Sequence, residues 1–346
     1  MARTKGAAPA TQERKTINLA LQGGGAHGAF GWGVLDRLLE EERLDLEGIS
    51  ASSAGAMNAA VLAHGMTAGG RAGAQQALHD FWSNVARAAT FSPIRRTPFE
   101  WLFSLAVPAV AHFWFDIATR SFSPYQFNPL NLNPLRDLLE ETVDFAAIRR
   151  HCALKLFVSA TNVRSGKIRV FSDREVTADA VMASACLPFL FQAVEIDGEA
   201  YWDGGYMGNP AIFPLIYGCR SPDVAIVHVN PIRREEVPTD AAAILNRVNE
   251  ISFNSSLMRE MRTIAFVSEM IEKGQLHGRT MKRMLIHSID NDAALAGFNV
   301  ASKLSPDWPF LERLRDVGRR TADAWLADTW GSIGVKSSVD VGARYL

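Results

Sequence analysis

Short, unbroken apolar runs alternate along this chain with stretches of helical periodicity, the pattern of buried strands set between amphipathic helices. Ile17 to Leu21 is the first such run, and it ends on Gln22. Gly23, Gly24 and Gly25 follow, Gly28 closes the turn, and apolar positions at Val34, Leu35, Leu38 and Leu39 predict a helix to about Glu42. A second strand, around Leu46 to Ser50, runs straight into Ala51-Ser52-Ser53-Ala54-Gly55 and a helix built almost wholly of small residues. Gly65 to Gly73 reads as a glycine-broken connection, and Leu78, Phe81, Trp82 and Val85 mark a helix over Ala74 to Ala88.

Beyond a proline- and asparagine-punctuated loop at Ser123 to Leu135, Asn133-Pro134 starts a helix that reaches Val143. Leu154 to Thr161 is a buried strand paired with Ile168 to Phe171, and Ala178 to Cys186 is a short helix stopped by Leu187-Pro188. Ala193 to Trp202 forms a hairpin around Asp197-Gly198 and delivers Asp203-Gly204-Gly205, with Asn209-Pro210 close behind. Ala225 to Val229 and Leu285 to Ile289 read as further strands. Asp240 to Lys273 and Asp307 to Thr329 are long amphipathic helices, the second with Arg313, Arg319 and Arg320 on its outer side. That basic face is either solvated or set against a phospholipid surface.

Phe99 to Phe115, FEWLFSLAVPAVAHFWF, is rich in aromatics and nearly free of charge. It is too short to span a bilayer and contains Pro108. Two readings stand: an internal or dimer-interface helix pair, and an apolar cap over 99–118 that meets lipid or walls an acyl-chain channel.

Lys and Arg number 36 against 37 Asp and Glu, a net charge of −1, so no global field favours nucleic acid. The three cysteines, Cys152, Cys186 and Cys219, lack metal or redox spacing and fit a reducing compartment. The opening MARTKGAAPATQERK is basic but has no apolar signal core, which predicts a disordered tail over 1–15 and a cytoplasmic setting. At 346 residues the chain accommodates one large α/β domain, 16–290, and a helical extension, 291–346, packed on it.

The two early turns carry the chemistry. Three consecutive glycines aim backbone N–H groups at one point, and the helix behind them adds its positive end, an anion cradle. The ASSAG turn places Ser53 where strand becomes helix, with Ala54 and Gly55 small enough for a tight nucleophile elbow. A cradle for negative charge beside an exposed serine fits acyl transfer, whose tetrahedral intermediate needs donors for its oxyanion. Gly23-x-Gly25-x-x-Gly28 also matches the dinucleotide fingerprint, with Asp45 or Glu47 only approximately placed for the ribose.

A serine nucleophile needs a base. His228, His277 and His287 follow Ser53 and Asp203 in an order that a triad would allow, yet His228 lies inside an apolar strand, and none sits in a glycine-rich loop. Asp203, in a tight turn after Tyr201-Trp202, is the better candidate, because partial burial would raise its pKa toward that of a competent proton acceptor. Asp-Gly-Gly is also an ordinary turn signal.

Gly23-Gly24-Gly25-Ala26-His27-Gly28, Ala51-Ser52-Ser53-Ala54-Gly55, and Asp203-Gly204-Gly205 with Asn209-Pro210 together resemble the patatin-like phospholipases, and SPYQFNPLNLNPLR, MASACLPFLF and NEISFNSSLMREMR resemble bacterial members. The resemblance runs from about Thr16 to about Pro309. It implies a three-layer α/β/α sandwich with a mostly parallel central sheet and extra C-terminal helices. It further implies a Ser-Asp dyad acting on lipid acyl esters through an acyl-enzyme, with Ser53 as nucleophile and Asp203 as general base. The N–H groups of Gly24, Gly25 and Ala26 would form the oxyanion hole, with Gly23, Gly28, Gly55, Gly204 and Gly205 as motif glycines. No metal or organic cofactor is expected. A lipid or fatty-acyl ester is the expected substrate, with peripheral contact to a lipid surface and homo-oligomerisation both left open. A non-catalytic lipid- or granule-surface binder that keeps the fold is the alternative.

Two positions depart from the family pattern. Ala51 stands where the elbow usually opens with glycine, and His27 where the loop usually carries Arg or Lys. The second departure predicts that anion binding depends on pH through His27, between about 5.5 and 8.

Overall fold

The computed structural model describes residues 13–91, 123–276, 281–295, 297–298, 300–303 and 306–346. The 99–118 segment, His277 and the first twelve residues of the expected tail lie outside them. The apolar runs become strands β1 (Lys15–Leu21), β2 (Leu44–Ala51), β3 (Lys155–Asn162), β4 (Ile168–Ser172), β5 (Val194–Ile196), β6 (Glu199–Asp203), β7 (Asp223–Val227) and β8 (Leu285–Ile289). They form one sheet in the order β5-β6-β3-β2-β1-β7-β8, with β4 also on β3. From β3 to β8 the pairs run parallel, and β4, β5 and β6 add an antiparallel margin. The fold is mixed α/β with a mostly parallel central sheet, as the sequence implies.

The helices used below are α1 (Gly28–Glu40), α2 (Ala54–Phe91), α3 (Pro134–Thr142), α4 (Phe145–His151), α5 (Ala178–Ser184), α6 (Phe213–Gly218), α7 (Ala241–Glu272), α8 (Val300–Lys303), α9 (Trp308–Thr329) and α10 (Val341–Tyr345). Alternation along the central strands divides them into two layers. Leu19, Leu21, Ala225 and Val227 enter a core shared with α1, α2, α5 and α9. Ala20, Val224, Ile226 and Ile286 enter a second core with residues of α6, α7 and α10. That is why the strands read as continuous apolar runs: both faces are covered.

Two local expectations change. The glycine-broken connection at Gly65 to Gly73 is shorter than expected: α2 is helical through it except at Gly69 and Gly70, where Gly70 has φ 63°. The chain reverses there, and a Cβ on Gly73 would lie 2.6 Å from the Gly65 carbonyl oxygen, so small residues let the two arms touch. The basic side of α9 is not wholly outward either. Arg319 bonds Asp36 and, at 2.7 Å, Glu40, both on α1. Between these helices a Cβ on Gly33 would run into the Arg315 carbonyl, and one on Gly318 into the Phe30 carbonyl. Glycine therefore sets the approach of α1 and α9.

One register detail positions the site. On β3, residues Phe157 to Thr161 pair with β4 along one edge, so β2 and β6 must share the other. β2 pairs as far as Ala51 opposite Val158, and β6 takes over with Asp203 opposite Ala160. The end of β2 and the end of β6 are thereby brought side by side.

Candidate active site

Ser53 follows the C-terminal end of β2 and has φ 52°, a left-handed conformation that costs free energy in any residue with a side chain. The turn is held on several sides. The N–H of Ser53 donates to Ser184 Oγ at 2.9 Å, and Ser52 Oγ donates to Asn209 Oδ1 at 2.6 Å. A Cβ on Gly55 would come within 2.5 Å of the Leu21 carbonyl oxygen, so α2 starts hard against the end of β1. Ala51 is fully buried at the strand end, and its methyl group is accommodated there.

The glycine loop lies against this elbow. A Cβ on Gly23 would meet the Ser53 Cβ at 2.5 Å, so only glycine permits the approach. Gly23 N donates to Asn209 Oδ1 at 2.7 Å, and Asn230 Nδ2 donates to the Gly23 carbonyl at 2.9 Å. Gln22 ties the far side, donating to Asn254 Oδ1 at 2.9 Å and accepting from the N–H groups of Val229 and Asn230. Gly25 has φ 59° and opens a short helical turn, Gly25–His27, that leads directly into α1. N–H groups at such a start have no acceptor within the helix, a geometry that suits an anion.

Asp203 is fully buried at the end of β6. Its Oδ1 accepts from Gly205 N at 2.7 Å, which fixes the carboxyl in the turn. Its Oδ2 has no hydrogen-bond partner among the described residues, an uncommon state for a buried oxygen. Burial pushes the carboxyl up to about 6, against the opposing pull of the Gly205 N–H, the nearby Ser53 hydroxyl and the Lys303 charge. Ser53 lies close enough to act on Asp203, yet no hydrogen bond of ordinary geometry joins them in this resting arrangement. Gly204 is required by the Ser159 carbonyl beside it, and Gly205 by the ring of Phe253 from α7.

Of the candidate histidines, the two among the described residues make no hydrogen bond to Ser53. His228 is fully buried, bonds Tyr345 Oη at 2.9 Å, and is pushed down to about 3, chiefly by burial. His287 bonds Asp223 Oδ1 at 2.9 Å and Ser338 Oγ at 3.0 Å, near the start of β7 and away from Ser53. His27 is a correction. It is buried, it lies 2.8 Å through Nε2 from Ser302 Oγ, and burial with the Lys303 charge pushes it down to about 3. It is neutral between pH 5.5 and 8 and cannot supply the expected pH dependence.

Several residues in the site carry no sequence signal of their own. Ser184 supports the elbow from α5, Asn230 and Gln22 brace the loop, and α8 brings Ser302 and Lys303 against it. Of these, Gln22 alone carries a hint, as a polar residue that closes the apolar run Leu19-Ala20-Leu21.

The chain matches the family model of the patatin-like phospholipases over residues 19–216. Comparison with curated proteins gives no match. Among solved structures it is similar to VipD from Legionella pneumophila, with a TM-score of 0.37 and 16% identity over 87% of this chain and 66% of that one. The type III effector protein ExoU gives a TM-score of 0.36 and 15% identity over 91% of this chain and 53% of that one. The chain thus spans just under two thirds of the first protein and about half of the second. None of the described helices is long and apolar enough to cross a membrane.

Proposed function

Because this chain belongs to the patatin-like phospholipase family, we propose that it is a serine acyl-hydrolase that cleaves lipid acyl esters with Ser53 and Asp203. The observation that carries the proposal is the pairing of a strained elbow serine with a fully buried carboxyl that keeps one oxygen unpartnered. Asp203 Oδ2 accepts the Ser53 proton as Oγ attacks the ester carbonyl. The negative charge on the former carbonyl oxygen is taken by the N–H groups of Gly24, Gly25 and Ala26. The C–O bond to the leaving alcohol breaks, and Asp203 returns the proton to that alcohol. Water then attacks the acyl-Ser53 ester and gives its proton to Asp203; as the fatty acid leaves, the proton passes back to Ser53 Oγ. A carboxyl near pKa 6 suits both directions of transfer at neutral pH.

Exposure to a long-chain fluorophosphonate, read by intact mass, tests this. Wild type should gain one adduct and Ser53→Ala none. No adduct on folded wild type would overturn the hydrolase reading in favour of a lipid-binding protein that keeps the fold.

A further inference from the structure

The C-terminal part of the chain reaches directly into the candidate site. Lys303 ends α8, and its carbonyl oxygen sits where a Cβ on Gly25 would be. Ser302, beside it, holds His27, and Phe298 packs its ring 5.5 Å from the His27 ring. Lys303 Nζ donates to Asn230 Oδ1 at 2.7 Å, and Asn230 Nδ2 in turn donates to the Gly23 carbonyl at 2.9 Å. The ammonium is therefore one amide side chain away from the first glycine of the loop.

The charge on this lysine is not consumed by a carboxylate. Glu250 of α7 is the nearby acid, but it is already held by Arg234 at 2.9 Å and Arg247 at 3.2 Å. No carboxylate lies within ion-pair distance of Lys303 among the described residues. Its acceptor is a neutral amide oxygen, so the hydrogen bond leaves the positive charge of the ammonium uncompensated. The groups that feel this charge are Glu250, Asp203 and the neutral His27.

We propose that Lys303 is the positioning cation of this site, holding the glycine loop through Asn230 and supplying the positive charge that faces Asp203. The proposal rests on the acyl-hydrolase reading above. In that role the lysine favours the ionised form of Asp203 before attack and keeps the N–H groups of the loop aimed at the oxyanion. Burial, with Arg234 adding to it, pushes the Lys303 ammonium down to about 8, while Glu250 and Asp203 pull it the other way. Cys186 and Tyr206, which also face Asp203, are pushed up to about 12 and stay neutral through this range. Activity should then rise with the ionisation of Asp203 and fall as Lys303 loses its proton.

The test is kcat/KM for a short-chain nitrophenyl ester across pH 5 to 10 in wild type, Lys303→Arg and Lys303→Met, with phosphonate labelling of each protein. Wild type should give an acid limb near 6 and an alkaline limb near 8. In Lys303→Arg the alkaline limb should disappear, because a guanidinium keeps its charge throughout. Lys303→Met should lose about tenfold or more at pH 7.5, and its acid limb should move up by about half a pH unit. An alkaline limb unchanged in Lys303→Arg would overturn the proposal, as would a methionine variant within about twofold of wild type. If the methionine variant does not fold, the arginine profile decides alone. Wild type without a phosphonate adduct would sink the hydrolase reading itself; labelled wild type with an unmoved alkaline limb would sink only the role of Lys303.

Discussion

The Ser338–His287–Asp223 cluster and the Ser53–Asp203 site both bring serine and aspartate together, and they differ in how completely their polar atoms are satisfied. Near the start of β7 and β8, Ser338, His287 and Asp223 form the chain of contacts that resembles a catalytic triad more closely. There Asp223 Oδ1 accepts from His287 Nε2 at 2.9 Å and from Gly334 N at 2.8 Å, and the His287 Nδ1 is taken by Ser338. At the other end of the parallel strands, Ser53 and Asp203 have no histidine. Ser53 is held at positive φ, and Asp203 is buried with one oxygen unpartnered. A satisfied network has little free energy to gain from a reacting group, whereas strain and an unmade hydrogen bond leave capacity for one. Residue types alone would favour the first cluster; burial and hydrogen bonding favour the second as the site proposed above.

The largest effect should separate the two at once. Ser53→Ala is expected to reduce ester hydrolysis by about a thousandfold or more without changing the melting curve. Hydrolysis that survives in Ser53→Ala but vanishes in His287→Ala would reverse the comparison.

Asp203→Asn should cost about a hundredfold or more in kcat and also stabilise the fold. The folded-state pKa of Asp203, about 6, lies above the unfolded value of 3.8, so the native protein binds the extra proton between those values. Its ionisation therefore removes stability as pH rises through that window, and the loss is complete above it. Denaturant melts at pH 7.5 should find the asparagine variant more stable by up to about 2–3 kcal/mol, with the difference gone below about pH 4. Equal stability at both pH values would mean that Asp203 is better solvated than its burial indicates. If Asp203→Asn stayed within about tenfold of wild type while His228→Ala was dead, a histidine base would replace the carboxylate.

At the satisfied cluster the expectation is the reverse. His287→Ala should lower stability by about 1–3 kcal/mol, because it strips a partner from the buried Asp223, and leave kcat/KM within about twofold. The smallest effect is a silence: the His27 ring resonances should not titrate between pH 5.5 and 8, since burial holds that imidazole neutral.

Much of the architecture was legible because the central strands are covered on both faces and so read as unbroken apolar runs. The glycine turn, the elbow and the Asp203 turn were legible because tight backbone geometry admits few residue types. What stayed hidden depends on pairs distant in sequence. Nothing local says that β6 takes over the edge of β3 that β2 vacates, although that register is what sets Asp203 beside Ser53. His27 looked like a switch because its type titrates near neutrality, and only its enclosure by Ser302, Phe298 and Phe310 removes that property. Gly65 to Gly73 read as a connection throughout because glycine weakens helices, whereas the break is confined to Gly69 and Gly70 and the other glycines allow two helical arms to touch.

The glycine contact between α1 and α9 also has a bearing on biosynthesis. Gly33 is made early and its neighbour Arg315 late, so a growing chain presents the bare face of α1 through most of its synthesis. The same holds for the loop at Gly25, which waits for Lys303. The loop at Gly25 and the face of α1 therefore gain their late neighbours only when nearly all of these residues have emerged.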